Sequence, residues 1–173
     1  MMHHALFYYR NRTNPAISVD QLCSFGKFSD WNFSTFCKRV VEFDLVDSFS
    51  PDLGAKLTVF VPTDEAFEAL ETHEVFNFDV LTRRESVYVL LYHVVVTEDN
   101  AVGFDDLECG ATIETANGES TRTKCSNDVK FQRGPKQMDD KLPKIVGPDI
   151  DGCTGVMHVI DNVILPNLDK MPS

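Results

Sequence analysis

Gly155-Val156-Met157-His158-Val159-Ile160-Asp161-Asn162-Val163-Ile164-Leu165-Pro166 ends seven residues before the last, Ser173, and its reading decides the fold. Branched aliphatics on both sides of Asp161-Asn162 predict two short strands that pair across that break, Val156 to Ile160 and Val163 to Leu165. One histidine stands among them. A solvent-facing strand has no use for an imidazole in such company, and an interior tolerates one only where both ring nitrogens find partners. The stretch therefore predicts a buried strand carrying a satisfied polar ring.

Two earlier segments belong with it. Leu57-Thr58-Val59-Phe60-Val61-Pro62-Thr63-Asp64-Glu65-Ala66-Phe67 is a buried strand by its β-branched and aromatic content, running into a helix capped by Thr63. Leu91-Tyr92-His93-Val94-Val95 is a helix end passing into a strand. In this order the segments resemble the opening, central and closing motifs of the fasciclin domain, an extracellular adhesion module. The likeness extends from Val19 to Leu168. It implies a single compact fasciclin-like domain over 19–168, a β core flanked by N-terminal and central helices. Residues 1–18 would then be a flexible arm and 169–173 a short tail.

The periodicity is consistent with that. Phe33, Phe36, Cys37, Val40 and Val41 recur at helical spacing from Asp30 onward, with Ser29 or Asp30 as cap. Asp64 and Glu65 suit the positive end of the helix after Thr63. A short helical connection is expected over Val75 to Leu81, a helix over Ser86 to Tyr92, and a strand from Val94 to Val96. A hairpin follows from Leu107 to Cys125, then a strand at Asp128 to Gln132 and a surface loop from Arg133 to Lys144. Helices come early and strands late, an α+β order.

Composition sets limits on function. The 173 residues suit one domain with one core, and a net charge of −11 lacks the clustered Lys and Arg that phosphate recognition needs. The same charge disfavours an anionic membrane surface. The longest apolar run, Val87 to Val96, falls short of the ~20 residues that span a bilayer. Ala5 to Tyr9 is too short for a secretory leader's apolar region, so either a leader lies upstream or the chain is not secreted by that route. The tail after Asn167 carries no lipid-anchor signal.

The five cysteines (Cys23, Cys37, Cys109, Cys125, Cys153) have no zinc-like spacing. Ala116-Asn117-Gly118 suits a three-residue hairpin loop closed by a left-handed glycine. That loop sets Thr115 opposite Glu119 and therefore Cys109 opposite Cys125, within disulfide reach. Cys23 and Cys37 form a plausible second bridge. A Cys125–Cys153 bridge competes, and five free thiols are the third arrangement. Asn11-Arg12-Thr13 and Asn32-Phe33-Ser34 are glycosylation sequons, with Asn11 and Asn32 as acceptors.

No catalytic motif assembles: there is no G-x-S-x-G elbow, phosphate loop or H-E-x-x-H helix. Cys153 with His158 and Asp161 is the one grouping that hints at a thiol enzyme, and its strand spacing turns the first two apart. His3-His4 and the acidic residues Glu98, Asp99, Asp105 and Asp106 have no metal-loop order. Neither a metal nor a cofactor is expected. His93 and His158 are read as buried neutral rings.

The resemblance also implies where a partner binds. In animal fasciclin proteins a proline or charged residue followed by Asp-Ile has been assigned to integrin recognition; Pro148, Asp149 and Ile150 match it, while Gly147 replaces an acidic residue and Asp151 an apolar one. Tyr92 and His93 match a second proposed integrin motif. The implied function is non-enzymatic adhesion or matrix binding, outside the cell or on its surface. The partner would be a cell-surface receptor, matrix component or cell-wall polysaccharide, with several copies needed for avidity. A small-molecule or pigment carrier with a pocket between helices and sheet is the alternative.

Overall fold

Leu57 to Pro62 are all buried, so the strand that contains them needs a neighbour on each edge and cover on each face. A computed structural model, which describes residues 31–49, 55–72, 76–152 and 155–172, supplies both. Strand β1 (Lys56–Pro62) leads into helix α2 (Asp64–Glu71), after α1 (Ser34–Glu42) and a 3-10 turn (Val46–Phe49). Helix α3 (Arg83–Leu91), β2 (Val94–Thr97), β3 (Thr112–Glu114), β4 (Ser120–Ser126), β5 (Val129–Arg133), β6 (Ile145–Gly152) and β7 (Gly155–Ile160) follow. The strands form sheets of order β2-β1-β7-β6 and β3-β4-β5. This is an α+β fold. No helix among the described residues is long and apolar enough to cross a membrane.

Alternation along β1 divides the interior. Leu57, Val59 and Val61 join Phe33, Phe36, Val40, Phe67 and Leu70 beneath the helices. Phe60 turns the other way, into a cluster with Tyr92, Val95, Leu107, Ile145, Ile160 and Ile164. The period of two in a strand produces this split directly. On β7, Met157 and Val159 belong to the helix side, and Ile160 to the opposite cluster.

Strand β1 pairs antiparallel with β2, and β7 lies parallel to β1 with Phe60 beside His158. The expected pairing of Val156–Ile160 with Val163–Leu165 does not occur. The antiparallel partner of β7 is β6, which contains the stretch read as a loop before the closing strands. A proline and two register shifts break the alternation by which a strand is read. Residues 163–165 are buried without ladder bonds; the Ile164 and Leu165 N–H groups donate instead to His93 Nε2 and Gln137 Oε1.

Helix boundaries also shift. α1 starts at Ser34 rather than near Asp30, and its N-cap, Phe33, offers no side-chain bond. Asp64 takes over that task from another helix: its carboxylate accepts the Thr35 N–H at 2.7 Å and the Ser34 hydroxyl at 2.8 Å. Thr63 caps α2 as expected, accepting from the Ala66 N–H. α3 starts at Arg83 because Thr82 and Glu85 form a reciprocal capping box. The turn at Phe78–Val80 replaces the expected helical connection; Asn77 Oδ1 accepts the Asp79 N–H there, a local competitor to helix.

The second sheet has the register derived from its loop. Thr115 N–H donates to Glu119 O, Gly118 N–H to Thr115 O, and Gly118 is left-handed at φ 88°. A disulfide joins Cys109 to Cys125 across a Cα separation of 5.6 Å, which leaves Cys125 no thiol for Cys153. Cys37 is also disulfide-bonded; its partner lies outside the described residues, as do Cys23 and Cys153.

Gly155 lies where β1 and β7 begin their parallel contact, and a β-carbon there would stand 1.8 Å from Leu57 O. Gly155→Ala is expected to destabilise by about 3 kcal/mol or more through backbone strain. Val41→Ala, at a half-exposed position, should stay within about 0.5 kcal/mol; urea midpoints compare the two. Asp64→Ala should cost about 1 kcal/mol through the lost cap. Burial raises the Asp64 pKa, but the bonds from Thr35 and Ser34 outweigh it and hold the group below 3.8. Its contribution is therefore present above that pH and lost on further acidification, which acid titration of wild type against variant measures.

Candidate functional site

Between the pairs Gly147↔Val159 and Ile150↔Met157, two residues of β6, Pro148 and Asp149, face one residue of β7, His158. This is a β-bulge, and it has a backbone problem to solve. Pro148 has no N–H to donate, and Asp149 sits in the left-handed region at φ 52°, where its amide has no ladder carbonyl. The ring of His158 fills that gap. Its Nδ1 accepts the Asp149 N–H at 3.2 Å, while Nε2 lies 2.9 Å from Val102 O. An amide can only donate and a carbonyl only accept, so the ring is neutral with its proton on Nε2.

The rest of the bulge is tied equally firmly. Asp149 Oδ1 accepts the Phe104 N–H at 2.8 Å. Lys130 donates to Phe104 O at 2.6 Å and lies over the Phe104 ring at 4.7 Å. Trp31 packs on Gly147, its Nε1 2.8 Å from where a β-carbon would stand. Gly147 thus leaves room for an indole where the family's integrin motif has an acidic side chain.

Of the residues predicted to meet a partner, Pro148 and Asp149 are exposed, and the Asp149 side chain retains 52% of its accessible surface. Ile150 is partly buried and packs on the helix-side core. Tyr92 and His93 are fully buried. The Tyr92 hydroxyl donates to Ser120 O at 2.7 Å, and burial, with the Glu119 charge nearby, pushes its pKa well above the usual tyrosine value. His93 Nε2 accepts the Ile164 N–H at 3.0 Å and its Nδ1 donates to Val89 O at 2.8 Å. With both side chains buried, contact of this pair with a partner would require local opening. Asn32 is exposed, and Asn11 lies outside the described residues.

The arrangement offers little to catalysis. Both nitrogens of His158 are taken by backbone groups, so it has no lone pair for a thiol, and Cys153 is outside the described residues. Asp161 Oδ1 accepts from Lys144 N–H and from the Asn162 amide. Among the described residues no group of three or more His, Cys, Asp or Glu side chains converges on a metal-sized site. Two hollows, one between α2 and Gln137–Lys141 and one between α1 and β1, hold about 20 and 10 Å³, room for roughly a water molecule.

A family model described as the Fasciclin domain matches residues 31–166, from Trp31 to Pro166. The chain belongs to the fasciclin domain family. Two Synechocystis relatives, "Uncharacterized protein sll1735" and "Protein sll1483", are 33% and 31% identical; they align over 79% and 78% of this chain, and over 92% and 67% of their own lengths. Human periostin is 27% identical over 80% of this chain, which spans only 15% of periostin. Fasciclin-like arabinogalactan protein 10 of Arabidopsis thaliana is 27% identical over 76% of the chain and 30% of its own length. Among solved structures, a FAS1 domain pair from the insect cell adhesion molecule fasciclin I superposes with TM-score 0.60 at 19% identity, over 86% of this chain and 52% of that one. That likeness shows the fold.

Two site features escaped sequence reading. The bond between His158 and Asp149 follows from a bulge that no local pattern announces, and Phe104 and Lys130 reach the site from distant segments. The Thr82–Glu85 capping box escaped it too, although Thr-x-x-Glu is the local signal that would have started the helix at Arg83 rather than Ser86.

Burial drives the His93 pKa from 6.5 down to about 4, against a smaller upward effect of the bond to Val89 O. The folded state therefore favours the neutral ring. Its stability is full above pH 6.5 and falls as pH drops from 6.5 towards about 4, by roughly 3 kcal/mol across the window. His93→Gln is expected to be less stable at pH 7 and to show a flatter slope over that window, read as urea midpoints against pH.

Proposed function

We propose that this fasciclin domain is a non-enzymatic extracellular module for cell adhesion or matrix binding, and that the Pro148–Asp149 bulge meets the partner. The observation that carries this reading is the exposure of both residues on a bulge fastened by the Asp149 N–H to His158 and by the Phe104 N–H to the Asp149 carboxylate. A surface already rigid before contact loses little entropy on binding. Among the described residues Asp149 Oδ2 makes no hydrogen bond, so it is free to accept one from a partner's N–H or cationic group. The partner is a cell-surface receptor or a matrix or cell-wall polysaccharide. Membership in the fasciclin domain family, whose fold is also found in an insect cell adhesion molecule, supports the adhesion class.

Exposure of Asn32 in Asn-Phe-Ser supports glycan attachment there on an exported chain. One domain presents one small contact, so adhesion draws on several copies, by association of this chain or by tandem display.

The test is saturable binding of the oxidised protein, free and clustered on a tetravalent scaffold, to intact cells and extracted matrix. Asp149→Asn keeps an acceptor for the Phe104 N–H and tolerates the left-handed backbone, and Pro148→Ala keeps the chain's direction. Each is expected to weaken binding by about tenfold or more, or ~1.4 kcal/mol, with unchanged urea midpoints. Binding within twofold of wild type would move the contact elsewhere on the surface. No saturable binding by the clustered protein would sink the adhesion reading for these partners.

A further inference from the structure

His158 is a single ring on which two chain segments depend. It lies wholly buried on β7 and stacks on Phe60, with centroids 5.5 Å apart and planes at 30°. Through Nε2 it holds Val102 O, whose own amide donates to Thr58 Oγ1 at 2.7 Å. Through Nδ1 it holds the Asp149 amide. The segment 102–104 and the bulge at 148–149 are thus fastened to one imidazole, and to each other by the Phe104 N–H on Asp149 Oδ1.

The fastening exists only while the ring is neutral. A proton added at Nδ1 faces the Asp149 N–H, donor against donor, and the bond between them cannot survive. An acceptor for the new N–H already waits: Asp149 Oδ1 is 4.0 Å from Nδ1. To take it, the carboxylate must close roughly 1 Å to reach hydrogen-bond length, leave the Phe104 amide, and rotate a backbone already at positive φ. The charged groups around the ring are few. Asp149 on β6 favours the imidazolium, Lys130 on β5 opposes it, and Asp106 is occupied by the Gly103 N–H. β1 contributes only Phe60 and Thr58, neither of which carries charge. Burial, the largest influence, holds the His158 pKa below its ordinary value, so the ring is neutral at pH 7 and charges below pH 6.5.

We propose that His158 is the positioning residue of the Pro148–Asp149 bulge and that its protonation releases the bulge, so that the exposed surface is rebuilt under acid conditions. For its consequence in binding this rests on the contact surface proposed above; the rearrangement itself does not.

The experiment is an NMR titration of the full chain, labelled with ¹⁵N, from pH 7.5 to 4.5, with far-UV circular dichroism at each point to mark global unfolding. At pH 7.5 the His158 ring should give the neutral pattern protonated at Nε2. On acidification the Asp149 and Phe104 amides should shift with the same midpoint as the ring, before any loss of ellipticity. Asp149→Asn removes the attracting charge, so the ring's midpoint should move to lower pH. His158→Asn should abolish the amide titration; if it does not fold, Asp149→Asn decides alone. Amides that stay still while the ring titrates, an unchanged midpoint in Asp149→Asn, or a ring that charges only with global unfolding would each overturn the proposal. Cell and matrix binding measured on either side of the midpoint separates the two readings. Absence of binding at pH 7.5 removes the adhesion reading and leaves the amide result to judge the bulge. Binding that is equal on both sides while the amides shift overturns the link between bulge and partner.

Discussion

Backbone groups left over by the sheet, and the side chains that satisfy them, are the constraint on which this structure turns. A buried N–H or C=O without a partner costs about 1–3 kcal/mol, and the segments 102–104, 148–149 and 163–165 all leave the regular ladders. Neutral imidazoles answer much of that need. His93 ties the last turn of α3 to Ile164, and His158 ties the bulge of β6 to Val102. Gln137 does the same for Leu165, accepting its N–H at 3.1 Å. A ring with one donor and one acceptor suits such places, because it bridges a carbonyl and an amide at once.

The second consequence is electrostatic. Each ring is held neutral by burial, so the interior loses stability when it must accept protons. The two rings differ in what surrounds them. His93 lies among helix and core residues, 6.3 Å from Phe36, and its charging acts against the domain as a whole. Asp149 and Lys130 lie close to His158, under a bulge whose outer residues face water. Acid therefore acts on the core through one ring and on a local surface through the other.

Much of the fold was legible because its signals are local. The strand at Leu57–Val61, the Thr63 cap and the hairpin over Ala116-Asn117-Gly118 each follow from short-range rules of alternation, capping and turn geometry. The loop fixes the ladder only from Glu114↔Ser120 to Thr112↔Arg122; behind it Gly110 and Ala111 both bond Thr123, and the Cys109–Cys125 disulfide closes across that irregularity. Exposure at Pro148 and Asp149 agrees with the likeness that singled them out, whereas the burial of Tyr92 and His93 does not suit a surface role. What failed was long-range. Asp64 reads as a first-turn acid of its own helix, yet its carboxylate closes α1, 29 and 30 residues earlier. Val163–Leu165 reads as a strand by composition, yet the Ile164 and Leu165 amides go to the side chains of His93 and Gln137, which come from distant segments.

By itself the sequence determined the class of fold, the buried state of His93 and His158 and the register at the tip of the disulfide hairpin. Each depends on residue type and spacing within a few turns of chain. The tertiary structure alone decided that β7 runs parallel to β1 and antiparallel to β6, and that a bulge there aims Pro148 and Asp149 outward. Those outcomes depend on which distant backbone groups meet. A bond such as Val102 O to His158 Nε2 spans 56 residues, and no local preference at either end encodes it.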